Sequence, residues 1–199
     1  MRRNHGNIGR MNQLLQWLTG GDLRSDGSAN EVADLVCTNP PLLNDLLLGL
    51  HQADDLVRAR TTHALERISR SKPEMLANHL VELELIARSD QVPTVRWHIA
   101  MLLGNLAVLK KLAAPVGSTL LDMLADPSVF VKSWVISSLC IVGRKYPAQR
   151  EQIIQGLVPL LKNHSPAVRS RASKATQLLI NDSLPMPAGW VKSNRLKNV

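Results

Sequence analysis

The chain has 199 residues, of which 45% are hydrophobic and 3% aromatic, and its formal net charge is +8. The apolar fraction is too high for a disordered chain. Two cysteines, Cys37 and Cys140, are too few for a disulfide scaffold or a zinc site. Because Phe and Tyr are scarce while Leu and Ala are abundant, the composition favours helices over β-sandwiches and barrels.

Export and membrane signals are not apparent in the sequence. Residues 1–10 are basic, but the long apolar stretch of a signal peptide does not follow them. The longest apolar stretch, Trp134–Val142, is far shorter than the ~20 residues that a membrane-spanning helix needs. We therefore expect no membrane contact and, with free cysteines, a cytoplasmic location.

The predicted elements begin with two helices, Met11–Leu18 and Ser28–Val36, on either side of the loop Thr19–Gly27. This pair would form an N-terminal helical cap within residues 1–39. Four further helical runs follow, each starting at a proline or an alanine. They are Pro40–Leu50, Pro73–Arg88, Ala113–Ala125 and Pro147–Lys162.

Each of these runs is followed by a segment of one repeated pattern. The four segments align without gaps and place a Val-Arg or Val-Lys pair every 36 to 38 residues. Counted from the valine, apolar or small residues recur at positions +4, +7, +8 and +11, which form one stripe of an amphipathic helix. Each run and its segment therefore predict one helical hairpin. The segments are Asp55–Ser69, Pro93–Ala107, Val129–Gly143 and Pro166–Ile180, and the hairpins span 40–72, 73–110, 111–145 and 146–182.

An Asp or Asn stands five residues before the valine in the last three segments, at Asp90, Asp126 and Asn163. Followed by Val-Arg or Val-Lys and the small or apolar spacing, this pattern resembles HEAT repeats, which are armadillo-like helical repeats. The first segment departs from it at Gln52, where Asp54 and Asp55 are alternatives. The resemblance implies an all-α, right-handed α-solenoid of about four hairpins plus the N-terminal helical pair.

The resemblance also implies a structural ladder, in which the cation after each valine pairs with a turn residue. The ladder residues are Arg58, Asp90, Arg96, Asp126, Lys132, Asn163 and Arg169.

Opposite the buried stripe, the second helix of each hairpin would face the concave surface. There Trp97, Met101, Ile136 and Cys140 would form an apolar patch with Trp134 on its flank. Exposed apolar patches mark partner surfaces, so these five residues are the candidate partner-binding site. The alternative is that curvature closes the groove and these residues pack against each other.

A second candidate surface is a basic edge, where the second helices end. The stretch Arg144–Lys174 holds seven cations and one acid, and a tail over 183–199 adds further cations. The tail contains Pro185, Pro187 and Gly189, which break helices, and would be ordered only if it docks. Such an edge would follow a phosphate backbone or meet an acidic protein, although a solvated edge is the common alternative. The residues of this basic edge are Arg70, Lys110, Lys111, Arg144, Lys145, Arg171 and Lys174.

The sequence contains no catalytic constellation. Its six histidines are scattered, and no pair has metal-binding spacing with a carboxylate partner. Cys140 has no evident histidine base. We therefore predict no cofactor, no metal and no enzymatic activity. Some HEAT-like proteins are DNA glycosylases, but that activity is a minority hypothesis here because Glu66 is the only acid among the mapped outward positions.

The leading hypothesis is a non-enzymatic protein–protein interaction module or scaffold that binds a protein segment along its concave face. The partner protein would be acidic if the basic edge steers its association. The runner-up is nucleic-acid binding through the basic edge and tail. A homodimer formed through the apolar patch is a third possibility.

Overall fold

The computed structural model describes residues 12–199, in which the chain forms ten α-helices and no strand. The basic N-terminal residues and the predicted helix start at Met11 lie outside this range. The first two helices are α1 (Gln13–Gln16) and α2 (Ala29–Thr38). They correspond to the predicted N-terminal pair, although α1 is only one turn long.

Four helical hairpins follow. Their first helices are α3 (Leu42–Leu47), α5 (Leu80–Ser89), α7 (Ala113–Asp122) and α9 (Arg150–Leu157). Their second helices are α4 (Asp55–Ser71), α6 (Pro93–Leu106), α8 (Val129–Lys145) and α10 (Pro166–Ile180). The second helices match the four repeated segments of the sequence.

The first helices are shorter than predicted because 3-10 turns replace their ends. Pro73–His79 and Pro147–Gln149 precede α5 and α9 as 3-10 turns, and Val158–Lys162 follows α9. Prolines stand at the first or second position of all three, where a helix start does not need their missing N–H. The predicted helical runs Pro73–Arg88 and Pro147–Lys162 are therefore helical, but each combines an α-helix with 3-10 turns.

Each second helix starts at a turn that is fixed by one side-chain oxygen. Asp54, Asp90, Asp126 and Asn163 each accept a hydrogen bond from the backbone N–H two residues later, at 2.7–2.9 Å. These bonds satisfy N–H groups that a helix start leaves without partners. In the first repeat Asp54 serves, rather than Gln52.

The core lies between the two layers of helices. The repeated valine is fully buried in every second helix, and so are Ile99 and Leu103 of α6. Each such side chain stabilises the fold by about 1.5–3 kcal/mol. The second helices pack side by side along the array, whereas neighbouring first helices contact each other far less. The second helices therefore form the shorter, inner face of a curved array.

None of the helices in the described part of the chain combines the length and the apolar character that a membrane crossing requires.

Candidate binding surface

Small side chains let the second helices approach closely at the middle of the inner face. A Cβ added at Gly104 of α6 would lie 2.5 Å from the Ser138 Oγ of α8. That hydroxyl donates to the Ala100 carbonyl at 2.8 Å. The small, uncharged positions that the repeat pattern assigned to an open groove are therefore helix–helix contacts.

Three of the five residues predicted to form an exposed apolar patch are buried. Ile136 and Cys140 are fully buried and Met101 is 9% exposed, so the prediction that they are exposed was wrong. Trp97 and Trp134 are half-buried. Burial arises from the close approach of α6 and α8 and, at Cys140, from a segment that the repeat pattern did not include.

That segment is the C-terminal tail, residues 183–199, which docks on the inner face. The Met186 Sδ lies 3.8 Å from the Cys140 Sγ, and burial raises the pKa of the Cys140 thiol to about 12. Trp190 is 9% exposed. The Arg171 guanidinium lies 5.1 Å from the centre of the Trp190 ring and 5.6 Å from that of Trp134.

Beyond Trp190 the tail crosses to the first repeat. The Lys192 ammonium lies over the Trp134 ring at 5.2 Å, and the Ser193 hydroxyl donates to the Arg70 carbonyl at 2.6 Å. Arg195 forms an ion pair with Glu74, which lowers the pKa of that carboxyl. The tail thus joins the last repeat to the first, over a sequence separation of 121 to 123 residues.

The other half of the inner face, formed by α4 and α6, is open. One residue, Arg60, holds the loop before α2 through hydrogen bonds to the carbonyls of Leu18, Thr19, Gly20, Asp22 and Ser25, at 2.6–3.4 Å. Gly27 has φ +52°, and a Cβ there would collide with the Arg60 guanidinium. Between this loop and the two helices lies a cleft of about 310 Å³.

Four rings lie on the cleft wall or beside it. The His63 and His98 rings are stacked with centres 4.7 Å apart, and Trp97 meets His98 edge-on. Phe130 lies 5.4 Å from Trp97 and is 65% exposed. Burial lowers the pKa of His98 to about 3, and burial also lowers the pKa of His63 against an opposing effect of Asp26. Both rings are therefore neutral at pH 7.

Two rungs of the predicted ladder are formed. The Arg58 Nε donates to the Asp90 carboxylate at 2.7 Å, which raises the pKa of Arg58, and Arg96 pairs with Asp126. Each arginine also donates to a turn carbonyl of its own repeat.

The rest of the ladder differs. No bond joins Lys132 to Asn163, because the neutral amide of Asn163 offers no charge and its oxygen accepts the Ser165 N–H. Arg169 has no following repeat to pair with, and it donates to the carbonyls of Asn163 and His164 at 2.7 and 3.0 Å. The ladder therefore changes from ion pairs to backbone contacts towards the C-terminus.

A buried polar network lies beside the point where Ser193 docks. The Glu66 carboxylate is fully buried and accepts bonds from the Arg70 Nε at 2.9 Å and the Asn105 Nδ2 at 3.1 Å. Asn105 also donates to the Ser69 hydroxyl at 2.9 Å. Glu66, predicted to face outward, is therefore a structural acid, and a groove carboxylate for glycosylase chemistry is not available at this position.

Part of the predicted basic edge is used inside the molecule. Arg70 binds Glu66, Arg144 donates to the carbonyls of Leu178 and Leu184 at 3.2 and 3.0 Å, and Arg171 lies between two tryptophans. Lys145 lies beside the Tyr146 ring. The exposed members of the set are Lys110, Lys111 and Lys174.

Two features of this surface were not predicted from the sequence, the loop contacts of Arg60 and the exposed ring of Phe130; for the tail the sequence left docking open, and the structure shows it docked. Both residues stand at fixed places relative to the repeated valine: Arg60 comes three residues after Val57, and Phe130 directly precedes Val131. In the structure Arg60 binds the glycine-containing loop before α2. Within residues 12–199 no group of three or more His, Cys, Asp or Glu side chains is placed to hold a metal ion.

The fold of this chain is similar to that of known helical-repeat proteins. No protein-family model matches the chain, and no curated protein matches it in sequence. Among solved structures it is similar to a designed armadillo repeat protein, with a TM-score of 0.55 and 17% identity over 83% of this chain and 80% of that one. An engineered protein from a structural genomics consortium matches with a TM-score of 0.50 and 14% identity over 86% of this chain and 99% of the other. The chain is therefore an armadillo- or HEAT-like helical-repeat solenoid, as the sequence pattern predicted.

Proposed function

We propose that this protein is a non-enzymatic scaffold that binds a segment of a partner protein on the open half of its inner face. The observation that carries the proposal is the Phe130 ring, 65% exposed, packed against the half-buried Trp97 beside the cleft. Aromatic side chains are enriched in interfaces, and a contiguous exposed apolar patch marks an interaction site. A helical-repeat solenoid presents such a surface on a rigid frame.

The chemistry of the cleft favours an apolar or aromatic side chain as the anchor of the partner. Trp97 and the neutral His98 provide ring faces on its wall, and Leu23, 45% exposed, lies on the opposite side. Burial of a large apolar side chain there would contribute about 1.5–3 kcal/mol. The exposed lysines of the basic edge would increase the association rate of an acidic partner.

The test uses single substitutions of exposed apolar residues. Phe130→Asp is expected to abolish capture of the partners that the wild-type protein retains from source lysate, because a carboxylate would be placed in the apolar contact. Leu85→Asp is the matched control, since Leu85 lies on the first helix α5 and is 61% exposed. Capture of the same partners at the same yield by folded Phe130→Asp protein would overturn the proposal.

We also propose a cytoplasmic location, supported by two cysteines that are both free thiols. Nucleic-acid binding has weaker support than protein binding, because Arg70, Arg144 and Arg171 are engaged within the molecule. It predicts an affinity for DNA or RNA that falls steeply with salt. A mobility-shift titration at low salt measures it, and Lys110→Glu combined with Lys111→Glu should weaken any such binding.

A further inference from the structure

The tail lies on the inner face in the manner of a bound peptide. From Leu184 to Ser193 it has no regular secondary structure, and one short 3-10 turn, Asn194–Leu196, follows. Its side chains make the main contacts with the repeats, and Trp190, Ser193 and Leu196 are buried. The tail is therefore an irregular segment that packs on a surface formed by helices.

The tail is attached through a connection with little structure of its own. Residues 181–189 include Pro185 and Pro187, and Gly189 has φ +81°, a backbone conformation that side-chain-bearing residues rarely adopt. Within the connection Pro185 and Gly189 are exposed, whereas Leu184 and Met186 pack partly against the core. The tail is therefore fixed by Met186 on Cys140 within the connection and, beyond it, by the contacts between Trp190 and Leu196.

Those contacts form a spaced pattern. An aromatic ring at Trp190 meets the Arg171 guanidinium, a cation two residues later at Lys192 lies over Trp134, and a cation three residues after that at Arg195 pairs with Glu74. Cation–π contacts contribute about 0.5–2 kcal/mol each. All three contacts are non-covalent, so a separate peptide with the same residue spacing would make them too.

We infer that the surface beneath the tail is a second peptide-binding site, and that the tail is its intramolecular occupant. The site takes an extended segment of a partner protein in which an aromatic residue is followed two and five positions later by cations. This surface, formed by α8, α10, the C-terminal end of α4 and the Pro73–His79 turn, is separate from the open cleft. The inference therefore stands or fails independently of the proposed function.

The tail competes with any partner because it is always present at high effective concentration. A tethered segment of this length corresponds to roughly millimolar free peptide. A partner's apparent affinity equals its intrinsic affinity multiplied by the fraction of molecules whose site is free of the tail. Weakening the tail's own contacts in the intact chain should therefore strengthen binding of a free peptide of the same sequence.

The experiment measures fluorescence anisotropy of a labelled synthetic peptide with the sequence of residues 183–199. The full-length protein is used as wild type and as the double variant Trp190→Ala, Arg195→Glu. We expect the double variant to bind the peptide at least tenfold more tightly than wild type. Lys197→Glu is the matched control for charge, because Lys197 is exposed and on the same tail, and it should bind no more tightly than wild type.

A charge exchange shows where the peptide binds. The Glu74→Arg protein should bind the Arg195→Glu peptide about two- to fivefold more tightly than the unchanged peptide, because the ion pair is restored in reverse. This arm needs no change to Trp190 and so keeps the test valid if the double variant does not fold. Circular dichroism and thermal unfolding establish which variants are folded.

The inference is overturned if folded double variant binds the peptide no more tightly than wild type. It is equally overturned if Glu74→Arg protein does not distinguish the two peptides. Either result would make the tail a fixed strap of the fold. Loss of partner capture by Phe130→Asp would be unaffected in both cases.

Discussion

The two halves of the inner face are built from the same repeat and differ in what lies over them. On α4 and α6 the loop before α2 stands beside the helices and leaves a cleft, with the half-buried Trp97 on its wall and the exposed Phe130, at the start of α8, beside it. On α8 and α10 the tail lies directly on the helices and buries Cys140. Exposure on this face therefore depends on the irregular segments and on the close approach of α6 to α8, and not on the repeat positions alone.

The difference has a local cause in each half. Arg60 binds five carbonyls of the N-terminal loop and so fixes the loop in place through its own backbone. The tail is instead held mainly by its side chains, which stack on Trp134 and Arg171 and pair with Glu74, while its Leu184 carbonyl also accepts a bond from Arg144. A backbone-fixed loop gives a permanent wall, whereas a segment held by side chains is open to replacement.

The largest expected effect is at the buried network of Glu66, beside the point where Ser193 docks. Glu66→Ala leaves Arg70 and Asn105 without their buried partner, so the free energy of unfolding should fall by about 3–5 kcal/mol. Urea denaturation measures it. Glu151→Ala is the control, because Glu151 is an exposed helical acid bonded only to Gln155, and it should change stability by less than about 0.5 kcal/mol. Equal effects would show that Glu66 is not a structural acid.

The next effect isolates the covered half. Trp190→Ala removes the largest buried side chain of the tail, which should weaken tail docking by about 3 kcal/mol. Amide hydrogen exchange of residues 190–196 should then accelerate, while exchange in α4 and α6 stays unchanged. Lys197→Ala is the control and should leave the tail protected. Faster exchange throughout the repeats would mean that the tail is an inseparable part of the core.

The third effect isolates the open half and depends on pH. The pKa of His98 is lowered to about 3 by burial, and the pKa of His63 is lowered in the same direction. The unfolded chain therefore takes up protons as pH falls through 6.5 while the folded chain does not, and stability decreases from pH 6.5 towards 3. His98 alone should cost about 2 kcal/mol between pH 6.5 and 5.

Urea denaturation at several pH values measures this dependence, and His98→Phe should flatten it. His164→Gln, at an exposed histidine of the last repeat, is the control that should leave the dependence unchanged. A slope that His98→Phe does not alter would contradict the burial of a neutral His98.

The smallest effect concerns the exposed ion pair at the far end of the tail. Arg195→Ala removes the pair with Glu74, whose side chains are 42% and 56% exposed. Exposed pairs contribute about 0.2–1 kcal/mol and are screened by salt. Thermal unfolding should shift slightly at low salt and not at 1 M salt. A large, salt-independent loss would indicate that Arg195 holds the tail through packing.

Repetition in the sequence predicted the local structure well. The valine stripe located α4, α6, α8 and α10, and Asp90 and Asp126 occupy the turn and ladder positions that the resemblance implied. These features depend on residues within one repeat or in adjacent repeats, where helical periodicity carries the information.

The exposure of the inner face could not be predicted in the same way. Periodicity assigns Ile136 and Cys140 to the outward side, but the approach of α6 to α8 at Gly104 and the docking of Met186 bury them. The contacts that bring Ser193 to Arg70 join residues 123 positions apart. Such pairing depends on the shape of the assembled surface, which a single repeat does not contain.

The central claim is that the two halves of the inner face are different kinds of surface, one open and one occupied by the tail. Amide hydrogen exchange of the wild-type protein tests this most directly. The backbone N–H groups of Trp190 and Leu196 are hydrogen-bonded within the docked tail, so we predict that they exchange at least about a hundredfold more slowly than in a free chain. Exchange of both amides at the rate of the free 183–199 peptide would contradict the account.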